Sequence, residues 1–155
     1  MIVPALPCHA CQLAVKGLRK EDADEVKATS GDDPAVVLPR SIAASKKAWT
    51  FVGKDGMAVA IFGVADWPGI PEIGVPWLLC SSDFPQYVRD ILINTKPIIK
   101  EMGLGYRRLV NYTDMRHINN LGWLEWAGFR FDKFEPEYGV EKRPFLRFSK
   151  EIPNV

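Results

Sequence analysis

Hydrophobic and polar positions change period along this chain, and each change marks an element. Residues 13–18 read as a first strand. The charged run after them places Glu21, Asp22, Asp24 and Glu25 together, an acidic opening that suits the positive end of a helix dipole. A turn at 31–34 precedes a helix over 35–45, which Pro39 should kink or begin. A strand at 48–52 runs into Gly53, Lys54, Asp55 and Gly56, a hairpin turn because Asp-Gly tolerates positive φ. Residues 57–64 are nearly all apolar, as in a strand covered on both faces. A breaker-rich loop over 66–71 leads to a strand at 75–80, with Pro76 near its start.

Ser81, Ser82 and Asp83 then offer helix caps, with Pro85 in the first turn. Val88, Ile91, Leu92, Thr95, Ile98, Ile99 and Met102 follow the spacing of one buried helical face, kinked by Pro97 and ended by Gly103 and Gly105. A strand at 108–112 precedes a helix that Thr113 or Asp114 should cap and Gly128 should stop. Strands at 129–134 and 144–148 close the chain. The order β-α-α-β-β-β-α-β-α-β-β predicts an α/β protein. Its mixed central sheet has about six or seven strands, with helices on both faces.

The totals narrow this picture. The 155 residues suit one domain, placed at 13–150 between an N-terminal arm at 1–12 and a tail at 151–155. Hydrophobic residues at 47% and charged residues at 25% argue against extended disorder. A net charge of +1 gives no global attraction to nucleic acid or a membrane surface. No apolar run approaches the roughly 20 residues of a membrane helix, and the proline-broken N-terminus does not read as a signal peptide. Three cysteines fit a reducing compartment rather than a disulfide framework. Cys8 and Cys11 form half of a zinc site with no second half, so no metal is expected. Arg107, Arg108, Arg116, His117, Lys142, Arg143 and Arg147 are balanced by Glu135, Glu137 and Glu141. They read as a solvated rim, with Arg116 pairing with Asp114, and argue against a nucleic-acid partner.

The element order resembles the GNAT (GCN5-related N-acetyltransferase) fold. Leu124, Glu125, Gly128 and Phe129 are similar to the "Y-E-x-x-G-F" ending of its last helix, and the stretch Leu18, Arg19, Lys20, Glu21, Asp22 and Ala23 is similar to its "I-R-x-x-x-x-D" opening. Blocks at 74–79, 111–116, 123–129, 137–140 and 144–148 resemble, in order, the internal virion protein A group of short-tailed phages, a GNAT-like family. That resemblance implies a virion or assembly protein. It would have other phage virion or assembly proteins as partners, no membrane, and homo-oligomerisation left open. It would be made in the host bacterial cytoplasm and then reside there or in the virion.

Two departures from the GNAT pattern imply that this protein lacks acetyltransferase activity and a cofactor. The pattern cradles the CoA pyrophosphate with glycines after the fourth strand, where a helix N-terminus offers free N–H groups. Here Ser81, Ser82, Asp83 and Pro85 stand instead. The pattern's proton-donating tyrosine is replaced by Leu124, which transfers no proton. The alternative is an acetyl-CoA-dependent N-acyltransferase with an atypical CoA site. It would hold the cofactor along Leu78, Leu79, Cys80, Ser81 and Ser82. Its acid would be Tyr112 or Tyr138, and its base Glu72, with Asp66 and Glu125 also candidates by location.

Overall fold

The computed structural model describes residues 1–153. In chain order it forms β1 (Ile2–Pro4), α1 (Pro7–Lys16), α2 (Lys20–Thr29), α3 (Pro34–Ala44), β2 (Ser45–Val52), β3 (Ala58–Trp67), β4 (Ile70–Cys80), α4 (Val88–Gly103), β5 (Arg108–Asp114), α5 (Ile118–Trp126), β6 (Arg130–Tyr138) and β7 (Arg143–Glu151). A short 3-10 turn at Phe84–Tyr87 leads into α4. The seven strands lie in the order β1-β2-β3-β4-β5-β7-β6. Every neighbouring pair is antiparallel except β4 and β5.

The expected α/β mixed sheet is therefore present, and apolar clusters cover both of its faces. Ala10 and Leu13 of α1, Val26 of α2 and Leu38 of α3 pack on one side with Ile61 and Leu79. Ile91, Ile99 and Met102 of α4 pack on the other with Leu124, Phe129 and Phe148. The apolar run at Ala58–Val64 is buried along its whole length, as a strand between two helical layers must be.

The N-terminal expectation needs correcting. Residues 2–4 pair with β2, and 7–16 are helical, where an arm and a strand at 13–18 were expected. Leu13 is fully buried and Val15 is 89% exposed, whereas a strand would put both on one face. Ala10 and Leu13 point inward together because they are three apart on a helix. His9 anchors the start: its Nδ1 receives the Leu6 N–H at 3.0 Å and lies 2.8 Å from the Thr50 hydroxyl. Of the expected tail, Glu151 ends β7 and Ile152 donates its N–H to the Arg107 carbonyl at 2.9 Å; Asn154 and Val155 lie outside the described residues.

Two local expectations also change. The breaker-rich stretch at 66–71 is a tight reversal in which Trp67 pairs with Ile70, so β3 and β4 are both longer than expected. Neither Thr113 nor Asp114 caps α5, whose first residue follows His117 without a side-chain cap. Asp114 is fully buried and instead accepts the Arg116 backbone N–H at 2.9 Å and its guanidinium at 2.9 and 2.6 Å. At the other end the Phe129 N–H returns to the Leu124 carbonyl at 3.0 Å, the C-terminal cap that Gly128 permits.

Candidate functional site

The sheet contains one gap. β4 and β5 pair in parallel only at Ile73 with Arg108 and at Gly74 with Leu109, and beyond these the two strands part. Gly74 lets the backbones meet at the apex. A Cβ there would stand 2.8 Å from Tyr106, 2.9 Å from Leu109 and 2.9 Å from Val64. Past the apex Asn111 reaches across, donating its side-chain amide to the Pro76 carbonyl at 2.7 Å.

A cavity opens on each side of this gap. The first, about 100 Å³, lies against α4 and α5, with Phe62, Ile91, Ile98 and Met102 in a nearly all-apolar wall that Asn94 and Thr95 interrupt. The second, about 260 Å³, lies under α2 and α3. Pro76, Trp77, Leu78, Trp123, Leu124 and Phe148 line both, so the two cavities meet at the parted strands.

The second cavity is the polar one. Arg19, Asp22, Glu25 and Arg40 line it, together with Asn111, Tyr112 and Thr113 from β5. Arg19 and Asp22 are locked to each other, Nε to Oδ2 at 2.6 Å, and Asp22 also accepts the Cys80 N–H at 2.8 Å. This buried pair fastens α2 to the end of β4. Glu25 lies one turn on from Asp22, and among the described residues no cation pairs with it. Its Oε1 accepts the Asp114 N–H at 2.9 Å. Burial lifts the Glu25 carboxyl to about 7, despite the Asp114 N–H, which favours the charged form; the neighbouring Asp22 and Asp114 charges push the same way as burial.

Tyr112 stacks on Tyr138, with ring centroids 4.5 Å apart. Burial, then Tyr112 and Glu25, push the Tyr138 phenol above its ordinary value. The turn after β6 closes this end, where Val140 donates to the Thr29 carbonyl at 3.2 Å and Glu141 to that of Ala28 at 3.1 Å. Gly139 has φ 74°, and a Cβ on it would clash with the Ala28 carbonyl oxygen, so only glycine allows the docking.

The residues singled out from sequence separate into two groups. Tyr112, Leu78 and Leu79 line the polar cavity, and Tyr138 stands behind Tyr112. Glu72 is exposed near the start of β4 and lines neither cavity. Asp66 accepts the Tyr106 hydroxyl at 2.6 Å, and Glu125 faces solvent. Cys80 is fully buried, and Ser81, also buried, accepts the Asp83 N–H at 3.2 Å. Ser82 is exposed outside both cavities. Leu124 lines both cavities as part of the apolar core. Glu25 and Arg40 were not recognised in the sequence. The i, i+3, i+4 set Asp22, Glu25 and Val26 was the available signal, because it puts two carboxylates on the face that carries the buried valine.

The parted parallel strands in a seven-stranded mixed sheet decide the architecture. The fold is the GNAT fold. Solved structures similar over nearly the whole chain agree. A GCN5-related N-acetyltransferase from Kribbella flavida superposes with a TM-score of 0.71 at 12% identity, covering 98% of this chain and 97% of that one. A GNAT superfamily phosphinothricin acetyltransferase from Sinorhizobium meliloti in complex with AcCoA gives 0.70 at 10%, covering 98% and 88%. Aminoglycoside 6'-acetyltransferase type Ii gives 0.69 at 19%, covering 100% and 99%. No protein-family model and no curated protein matches the sequence.

These findings correct the expectation of a phage virion or assembly protein without activity. Nothing found ties the chain to a phage internal virion protein family, and the similar structures carry the names of acetyltransferases. Among the described residues, no helix is long and apolar enough to cross a membrane.

Proposed function

We propose that this protein is an N-acyltransferase that moves an acyl group from an acyl-CoA-type thioester to a primary amine. The observation that carries this reading is the gap between β4 and β5, with an apolar cavity on one side meeting a polar cavity with a carboxylate on the other.

The residues around the gap fit the arm of such a thioester. The apolar cavity gives its chain a dry wall, with Asn94 and Thr95 as polar partners for amides, and Leu78 and Leu79 lie along the strand edge freed from pairing. The nucleotide end would meet a different surface from a glycine loop. α4 starts at Val88 straight after the 3-10 turn and without a side-chain cap, and the positive end of its dipole favours an anion. Lys16 is ion-paired with Asp83 and neutralises the acid that stands in the way. When bound, the thioester supplies an activated acyl carbon.

The remaining roles fall to the chain's own groups. An amine reacts only as the free base, so an ammonium entering the polar cavity must lose a proton. Glu25 is the acceptor for that proton: no cation among the described residues pairs with it, and its carboxyl is pushed up to about 7, close to the pH at which a base works best. Tyr112 holds a phenolic proton beside the gap for the departing sulfur, a role that Leu124 cannot fill. Trp77 and Trp123, which line both cavities, help to keep water from the junction.

The test is binding followed by turnover. Acetyl-CoA at millimolar concentration should raise the melting temperature, because ligand bound only to the native state stabilises it. A thiol-release assay over a panel of primary amines should then show acetyl transfer. An unchanged melting temperature together with no thiol release above the uncatalysed rate would overturn the reading.

A further inference from the structure

The amine acceptor has a charge requirement of its own. Four charged side chains line the polar cavity, and two of them, Arg19 and Asp22, neutralise each other. Glu25 and Arg40 remain. Glu25 is held inside by the Asp114 N–H, and Arg40, on α3, stands where the cavity meets solvent. Among the described residues its ion pair is with Asp32 alone, at 3.0 Å, and the two side chains are 55% and 45% exposed. A pair as exposed as that is worth about 0–1 kcal/mol, so a substrate anion displaces Asp32 at little cost. The same cavity wall carries the Asn120 amide and the Ser41 hydroxyl.

We infer that the acceptor is a small zwitterion, an amine joined by a short linker to a carboxylate or similar anion. Its ammonium lies toward Glu25 and its anion on the Arg40 guanidinium. This rests on the acyl-transfer reading for its chemistry, but not for its binding. A cation-only acceptor leaves Arg40 idle, and an anion-only ligand meets the Glu25 carboxylate unpaired. The zwitterion satisfies both, and the guanidinium fork is well shaped for a carboxylate.

The experiment is calorimetric titration of β-alanine, γ-aminobutyrate and ε-aminocaproate, each beside its own carboxamide, which keeps the size and removes the anion. The series varies the linker because the separation of the two charges selects its length. At least one acid should bind about tenfold tighter than its amide. In Arg40→Ala that preference should vanish while amide affinity stays put. In Asp32→Asn, which frees the guanidinium, the acid should bind about two- to fivefold tighter. The Arg40–Asp32 pair is exposed, so neither variant should lose its fold, and circular dichroism checks this. Equal binding of acids and amides, no binding by any member, or a parallel loss of both in Arg40→Ala each overturns the inference. The same compounds in the thiol-release assay keep the two readings apart. Acid-selective, Arg40-dependent binding without turnover supports the zwitterion site and removes the acyl-transfer reading. Turnover that is blind to the anion does the reverse.

Discussion

Asn111 donates its side-chain amide to the Pro76 carbonyl across the parted strands, 2.7 Å from donor to acceptor. Where a parallel ladder would continue with backbone bonds, one side chain spans the gap instead. Asn111 also receives the Tyr112 N–H on its own Oδ1 at 2.7 Å, so its orientation is fixed from both ends. The gap is thus held at a set width by a residue of β5. Asn111→Ala should lower stability by about 1 kcal/mol through the lost hydrogen bond, measured by urea denaturation. It should also raise KM for the thioester more than it lowers kcat, since the bridge shapes the slot and does not touch the reacting atoms.

Gly74 sets the other limit of the gap. Gly74→Val would drive a branched side chain into Tyr106, Leu109 and Val64, which already stand within 3 Å of a Cβ at that position. Overpacking of that kind costs about 1–3 kcal/mol. The expected outcome is a lower denaturant midpoint with an unchanged slope. An unaltered midpoint would show that β4 and β5 do not depend on close approach at this apex.

Glu25 should be visible in two pH profiles. As the base it works deprotonated, so kcat/KM should rise through an apparent pKa of about 7 and level off above it. Glu25→Gln should cost about 10²- to 10⁴-fold in kcat and remove that rise. The linkage has the opposite slope. The folded-state carboxyl titrates near 7 and the unfolded one near the ordinary 4.5, so between these values the folded state binds more protons. Stability contributed by the protonated form is complete below the unfolded pKa and is lost as pH rises through about 7. Glu25→Gln should therefore stabilise the protein above that pH, on the order of 1 kcal/mol after allowance for the partial exposure of the carboxyl. Thermal melts of both proteins at acidic and alkaline pH check the sign.

Tyr112 and Tyr138 are stacked, but only Tyr112 lines the polar cavity. Tyr112→Phe keeps the ring and removes the proton, and should reduce kcat by about 10²-fold. Tyr138→Phe should change kcat less than threefold or so, within what a neighbouring packing residue does. A larger effect at Tyr138 than at Tyr112 would reverse the assignment.

How far the sequence reached is clearest in α1 and β4. Ala10 and Leu13 share a helical face, but Leu13 and Val15, two apart, also mimic alternation, and a stretch of six residues does not separate the two periods. Tertiary burial decided it, by covering Leu13 and leaving Val15 outside. Before β4 the breakers Pro68 and Gly69 indicated a loop, while the tight reversal there depended on the pairing of Trp67 with Ile70. Tyr112, Leu78 and Leu79 were legible as site candidates through the GNAT resemblance, which implies a cofactor along the end of the fourth strand and a tyrosine as acid. Glu72 was not brought to the cavities, because a strand's first residues lie far from the gap that opens at its other end.

The sequence by itself determined the class, the element order from β2 onward and the mixed sheet, because these follow from periodicity, turn residues and the rule that apolar faces must be covered. Only the tertiary structure decided where the sheet opens and which side chains meet there. Asn111 and Pro76 are 35 residues apart, and Glu25 and Asp114 are 89 apart. No local pattern encodes a contact at such separations. It arises when two strands fail to pair beyond Gly74 and the helices on either side are packed against what is left exposed.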